Sequence, residues 1–103
     1  MKCYEGQRQG SVVRVTVDGR LLNPRQDLYN HSPDGFEWGY GGSGPAQLAL
    51  AILADYLNDD EQALNLYQRF KWEVIATLPK KSWTLNEQQI SEVLHRLSTE
   101  SQT

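Results

Sequence analysis

The apolar pattern of this chain changes its period once, near Pro45, and that change restricts the folds open to it. Before it, Val12, Val13, Val15 and Val17 are β-branched, and Val13-Arg14-Val15-Thr16-Val17 alternates apolar with polar, as a half-buried strand does. Gln9-Gly10 supplies a turn between an earlier strand, Cys3 to Arg8, and this one. Asp18-Gly19 is a two-residue hairpin signal leading into Arg20-Leu21-Leu22. Asn23-Pro24 ends that third strand, and residues 23–35 are a loop rich in turn residues. Phe36-Glu37-Trp38-Gly39-Tyr40, aromatic at alternate positions, predicts a short further strand.

After Pro45 the spacing becomes helical. Proline is favoured at a first helical position, so a helix is predicted from Pro45 to about Leu57. Asp59-Asp60-Glu61-Gln62 caps a second, with Ala63, Leu64, Tyr67, Phe70, Val74, Ile75 and Leu78 inward and Pro79 past its end. Thr84-Leu85-Asn86-Glu87 reads as a capping box for a third, with Ile90, Val93, Leu94 and Leu97 as its stripe and a polar, fraying end from Ser98. Strands first and helices afterwards define an α+β domain. The expected architecture is an antiparallel sheet of three to four strands within residues 2–40, packed on helices at about 45–57, 60–78 and 85–98. One domain spans residues 1–103, since a chain of this length supports a single core.

Composition removes several function classes. The longest apolar run, Leu48 to Ala54, is far too short to span a membrane, and the N-terminus lacks a signal-peptide core. A single cysteine, Cys3, permits neither an internal disulfide nor a cysteine zinc site and reads as a small hydrophobe, so the expected location is the cytoplasm. Net charge is -3, distributed as +2 over residues 1–31, -4 over 32–59 and -1 over 60–103. With a pI near 5.3, a nucleic-acid partner is disfavoured.

Gly39-Tyr40-Gly41-Gly42-Ser43-Gly44 matches G-x-G-x-x-G, and Asp59 stands twenty residues after Gly39. A dinucleotide site also needs a parallel strand after the helix, and Asp55 to Gln62 is too polar to be one. Gly41-Gly42-Ser43-Gly44-Pro45 misses the last glycine of a nucleophile elbow, and no lysine lies between Lys2 and Lys71 to complete a phosphate loop. No cofactor is therefore assigned. A more general capacity survives: free N–H groups at a helix start, here Ala46, Gln47 and Leu48, favour an anion. The structural alternative is that Ser43 caps the helix and the glycines serve close packing.

The candidate ligand or partner surface is the loop and helix start from Asn30 to Gln47: Asn30, His31, Ser32, Asp34, Glu37, Trp38, Tyr40, Gly41, Gly42, Ser43, Gly44 and Gln47. His31 with Asp34 or Glu37 has the chemistry of an acid–base pair but no metal-ligand spacing, so no catalytic or metal residue is assigned. Trp38, Trp72 and Trp83 belong in the core or half-buried; one left exposed would mark an interface.

"YNHSPDGFEWGYGGSGPAQLALAIL", followed by "FKWEVIATLP" and "SWTLNEQQI", resembles an uncharacterised bacterial and phage family of about this length, a domain of unknown function, from the "VTVDGR" strand and turn through Ile90. The resemblance implies no activity, cofactor or catalytic residue. Its occurrence in phages implies a role in phage–host conflict. Three readings follow, in order of preference. The first is a non-enzymatic module binding a protein partner or small anionic ligand through residues 30–47. The second is an inhibitor of a host defence complex, motivated by the acidic 32–59 segment. The third is a small enzyme using His31 with Asp34 or Glu37. An exposed edge or uncovered face of the sheet is also able to pair in a homodimer.

Overall fold

In a computed structural model that describes residues 2–33 and 35–101, the valine-rich segment is an inner strand of a four-stranded antiparallel sheet. The strands β1 (Cys3–Gln9), β2 (Val12–Val17), β3 (Arg20–Leu21) and β4 (Ser82–Asn86) lie in the order β3-β2-β1-β4. Both predicted turns form. Gly10 closes the first at φ 60°, and Asp18 and Gly19 both take positive φ, the conformation whose twist suits a two-residue hairpin. Asp18 also accepts from the Cys3 N–H through Oδ1 at 2.9 Å, which locks the β1–β2 register at its open end.

The fold class is α+β as expected, but the fourth strand comes from a different segment. Residues 36–40 make no strand: Gly39 sits at φ 84°, outside the extended region, and its N–H donates to the Ile75 carbonyl at 3.0 Å. The Trp38 indole N–H goes to the Lys80 carbonyl at 2.9 Å, so the segment is pinned by isolated bonds rather than by a ladder. The strand position beside β1 is taken instead by Ser82–Asn86, with Tyr4 opposite Leu85 and Gly6 opposite Trp83. That register is sterically selective, because the Trp83 indole lies directly on Gly6 and any Cβ there would enter the ring. The close approach leaves the Trp83 Nε1 buried with no acceptor among the described residues.

The helices also differ at their ends. Helix α1 (Ser43–Leu57) begins two residues before Pro45, so the proline occupies the third helical position, where an N–H still has no acceptor within the helix. Asn58 closes it in the left-handed conformation, donating to the Ala54 carbonyl. Helix α2 (Asp60–Glu73) is capped as predicted, Asp59 accepting from the Gln62 N–H. It does not continue to residue 78: Val74 leaves helical geometry at φ -121°, and a 3-10 turn (Ile75–Thr77) follows. Helix α3 (Glu87–Ser101) starts later than predicted. Its reciprocal capping box joins Asn86 and Gln89, each side chain accepting from the other's backbone N–H at 2.9 Å. Thr84 is unavailable as a cap because strand pairing holds it opposite Glu5.

One sheet face, carrying Tyr4, Val15, Val17, Trp83 and Leu85, is buried in a single apolar cluster with the helices. The opposite face, with Glu5, Gln7, Arg14, Ser82 and Thr84, is exposed. Helix α1 is the centre of the molecule: Leu48 to Leu53 are all fully buried, as expected for a helix apolar on every side. Its two ends are therefore fixed, and the glycine-rich approach to it is presented at the surface. No helix among the described residues is long and apolar enough to cross a membrane.

Candidate functional site

Gln47, in the first turns of α1, is fully buried and organises the loop that precedes the helix. Its Oε1 accepts from the His31 and Ser32 N–H groups at 2.8 and 3.2 Å, and its Nε2 donates to the Pro24 carbonyl at 2.6 Å. Three backbone groups of a loop without regular structure are thus satisfied by one side chain. Gln26 adds a bond to the Ser32 carbonyl. The result is a rigid ledge, residues 24–32, lying along the start of α1.

The glycine run forms the floor beside it. Gly42 is the N-cap of α1 in extended conformation, no side chain caps the helix, and its first turn holds no acid. Neither Ser43 nor Gly44 is the cap. The first intrahelical bond runs from the Ala46 N–H to the Gly42 carbonyl. The N–H groups of Ser43 and Gly44 have no acceptor among the described residues, and Pro45 has none to offer. Gly41 lies beneath the Trp72 indole and Gly44 beneath Glu37, so a side chain at either position would displace its neighbour. Absence of a Cβ is what lets these groups lie on the backbone.

A line of aromatic and basic side chains borders the floor. His31 stacks on Tyr29 with centroids 4.2 Å apart, and its Nε2 lies 2.6 Å from the Tyr67 hydroxyl. Burial, and next the nearby Lys71 charge, hold the His31 pKa below its ordinary value, so the ring favours the neutral form. Lys71 follows Tyr67 by one helical turn and is only 8% exposed, with Nζ 4.5 Å from the Trp72 ring centre. Trp72 itself is 60% exposed. Tyr40 lies over Gly42, with Lys80 Nζ 5.2 Å from its ring.

The structure brings His31, Ser32, Gln47, Tyr40 and the glycines together around the start of α1. Asn30 is exposed at the rim, and Asp34 lies outside the described residues. Glu37 packs its Cβ over Gly44 but turns its carboxylate away from the helix start: Arg8 holds it in a two-pronged ion pair, one arm at 3.0 Å, and this keeps its carboxyl below the usual range. No contact joins Glu37 to His31 among the described residues. Trp38 is wholly buried, packed edge-on against Trp83 at 5.6 Å, and offers no surface to a ligand. The other described acids of the 32–59 segment are likewise engaged: Asp55 with Lys2 and the Tyr4 hydroxyl, Asp59 with the start of α2.

Trp72 departs from the expectation that all three tryptophans lie in the core or half-buried, and Lys71 stands outside the surface read from residues 30–47, although a signal was present for each. Trp72 stands off the 63, 67, 70, 74 stripe that α2 buries, whereas Lys71 follows Tyr67 by four residues and so lies beside that stripe. An outward tryptophan next to an inward lysine is unusual on both counts.

The fold and surface define a small α+β domain with a glycine-floored, aromatic-edged helix start, and its all-antiparallel sheet excludes the βαβ unit of a dinucleotide fold. The chain belongs to the family of unknown function DUF6166, whose sequence profile matches residues 4–96. No curated protein and no solved structure matches it.

Proposed function

We propose that this protein is a non-enzymatic binding module that engages its partner or ligand at the start of α1, with Trp72 as the anchor. The observation that carries this reading is the exposure of Trp72 in a chain that buries its other two tryptophans. An indole held against backbone at Gly41 is already ordered, so little conformational entropy is lost when a second surface covers it. Tryptophans of this kind dominate binding energy in many interfaces. The rigid ledge built by Gln47 and the neighbouring Tyr29 and Tyr40 rings extend the same surface.

The test is capture from cells that naturally make the protein, comparing wild type with Trp72→Ala and identifying retained protein and small molecules by mass spectrometry. The expected result is one species retained by wild type and lost from a variant whose circular dichroism and melting are unchanged. Identical retention by both proteins would refute the reading.

A further inference from the structure

We propose that the free edge of β4 is a self-association surface, on which a second copy of this chain lays its own β4 antiparallel and joins the two sheets into one. It uses none of the residues assigned to the surface above.

The sheet register identifies the free backbone groups. β4 pairs with β1, and no strand lies on its other side. The Arg8 N–H donates to the Lys81 carbonyl at 2.9 Å. In an antiparallel ladder the hydrogen-bonded pairs alternate, so Gly6–Trp83 and Tyr4–Leu85 are the next pairs that exchange bonds. Ser82, Thr84 and Asn86 therefore direct their N–H and C=O groups away from β1. The Asn86 N–H is taken by Gln89 Oε1 at 2.9 Å, whereas the groups of Ser82 and Thr84 are exposed and have no partner among the described residues.

Such an edge is a template for another strand, and proteins usually guard it with charge, proline, a bulge or a very short strand. The opposite edge is guarded, since β3 has two residues and Pro24 soon follows it. β4 has five, Ser-Trp-Thr-Leu-Asn, with no charge, no proline and unbroken pairing to β1.

The edge is also self-complementary, which selects a second copy over an unrelated peptide. A twofold axis beside Trp83 places Ser82 of each copy opposite Thr84 of the other. Each pair then exchanges both of its hydrogen bonds, and every free group of Ser82 and Thr84 is used. An axis beside Thr84 instead would need the Asn86 N–H that Gln89 already holds. In the first register the exposed Ser82 and Thr84 hydroxyls meet across the strands, a favourable pairing, and no like charges stand opposite each other. Lys81, which by strand alternation shares the face of Trp83 and Leu85, comes opposite Leu85 of the second copy. Leu85 lines an apolar groove shared with Val74, Ile90 and Val93, and Glu92 lines it too. Lys81 and Glu92 each lack an ion pair among the described residues, while Glu73 beside the groove is held by Arg96. Each lysine stem thus covers the other copy's groove and carries its charge toward Glu92. One twofold arrangement closes edge, groove and charge together.

The experiment is sedimentation equilibrium of the whole chain from about 10 µM to about 1 mM, paired with amide exchange by NMR over the same range. The expected result is a reversible dimer with a Kd on the order of 100 µM, as suits a small interface, and exchange at Ser82 and Thr84 that slows as the dimer fills. The double variant Ser82→Lys, Thr84→Lys sets lysine opposite lysine at exposed positions and should weaken association by about tenfold or more. Ser82→Glu with Thr84→Glu should do the same, and an equimolar mixture of the two variants should associate again. Should either variant fail to fold, exchange at Ser82 and Thr84 of the wild type carries the test. Trp72→Ala should leave the Kd within about twofold. A chain that stays monomeric, whether or not its edge takes up an unrelated extended peptide, would overturn the proposal. A dimer that both double variants retain, or one in which the two amides exchange as in the monomer, would do the same. Association lost with Trp72→Ala but not with the β4 variants would move the contact to the Trp72 surface and leave the binding module standing.

Discussion

Replacing Gln47 by methionine isolates the contribution of one side chain to the shape of the candidate surface. Methionine matches glutamine in helix propensity and approximate length, so the change removes hydrogen bonding with little loss of packing. Three backbone groups lose their partner: the His31 and Ser32 N–H groups and the Pro24 carbonyl. Each costs about 1–3 kcal/mol if it stays buried and unpaired. His31 and Ser32 are half-buried, so water recovers part of that sum, and the expected loss is about 3 kcal/mol. For a domain of this size that corresponds to a fall in Tm of roughly 10–20 °C. The chain can limit the cost by letting the loop lift from α1. The global loss would then be smaller, and exchange protection of the loop amides would fall by about a hundredfold instead, the equivalent of some 2.7 kcal/mol. Urea denaturation combined with hydrogen exchange at His31 and Ser32 separates the two outcomes. Stability within about 0.5 kcal/mol of wild type, with both amides equally protected, would refute the role given to Gln47.

Three further outcomes are expected. Gly6→Ala should destabilise by about 1–3 kcal/mol in urea melts, because its Cβ enters the Trp83 indole, and an effect under 0.5 kcal/mol would contradict the β1–β4 register. Asn86→Ala should cost about 1 kcal/mol of thermal stability through loss of the α3 cap, while Thr84→Ala costs clearly less; the opposite ranking would move the cap back to Thr84. His31 should titrate by NMR below its usual pKa of about 6.5. Since its folded pKa is depressed, the unfolded chain binds more protons over that interval. The stability tied to neutral His31 is therefore complete above about pH 6.5 and lost as pH falls toward the folded value, and His31→Gln should flatten this dependence. A folded pKa at or above 6.5 would remove that pH effect.

Wherever a local pattern acts within one element, it was legible from residues alone. The valine alternation, the Asp18-Gly19 turn and the Asp59 cap all form as read, because each depends on neighbours no more than a few positions away. The family was legible too, from the long central motif. The segments misread are those where a distant partner overrides local preference. Phe36 to Tyr40 alternates like a strand, yet single bonds to Ile75 and Lys80 and a positive φ at Gly39 hold it out of the sheet. Ser82 to Asn86 resembles a helix start, yet pairing with β1 recruits it as an edge strand and moves the α3 cap two residues onward.

The candidate surface divides along the same line. Glycine at 41 and 44, the loop rich in turn residues and the helix beginning around Pro45 are consequences of composition and local geometry, and they place a helix start at the surface in any compact arrangement of this chain. Which side chains line that start depends on α2 packing beside α1. Docking of the α2 apolar stripe on the fully buried α1 brings Trp72 onto Gly41 and the Lys71 charge near His31, residues about 30 to 40 positions away in the chain. The same packing withdraws Trp38 into the core and gives Glu37 to Arg8. Burial, unlike turn chemistry or capping, is a property of the assembled chain, so the identity of the exposed tryptophan and of the buried lysine emerges only when the helices meet.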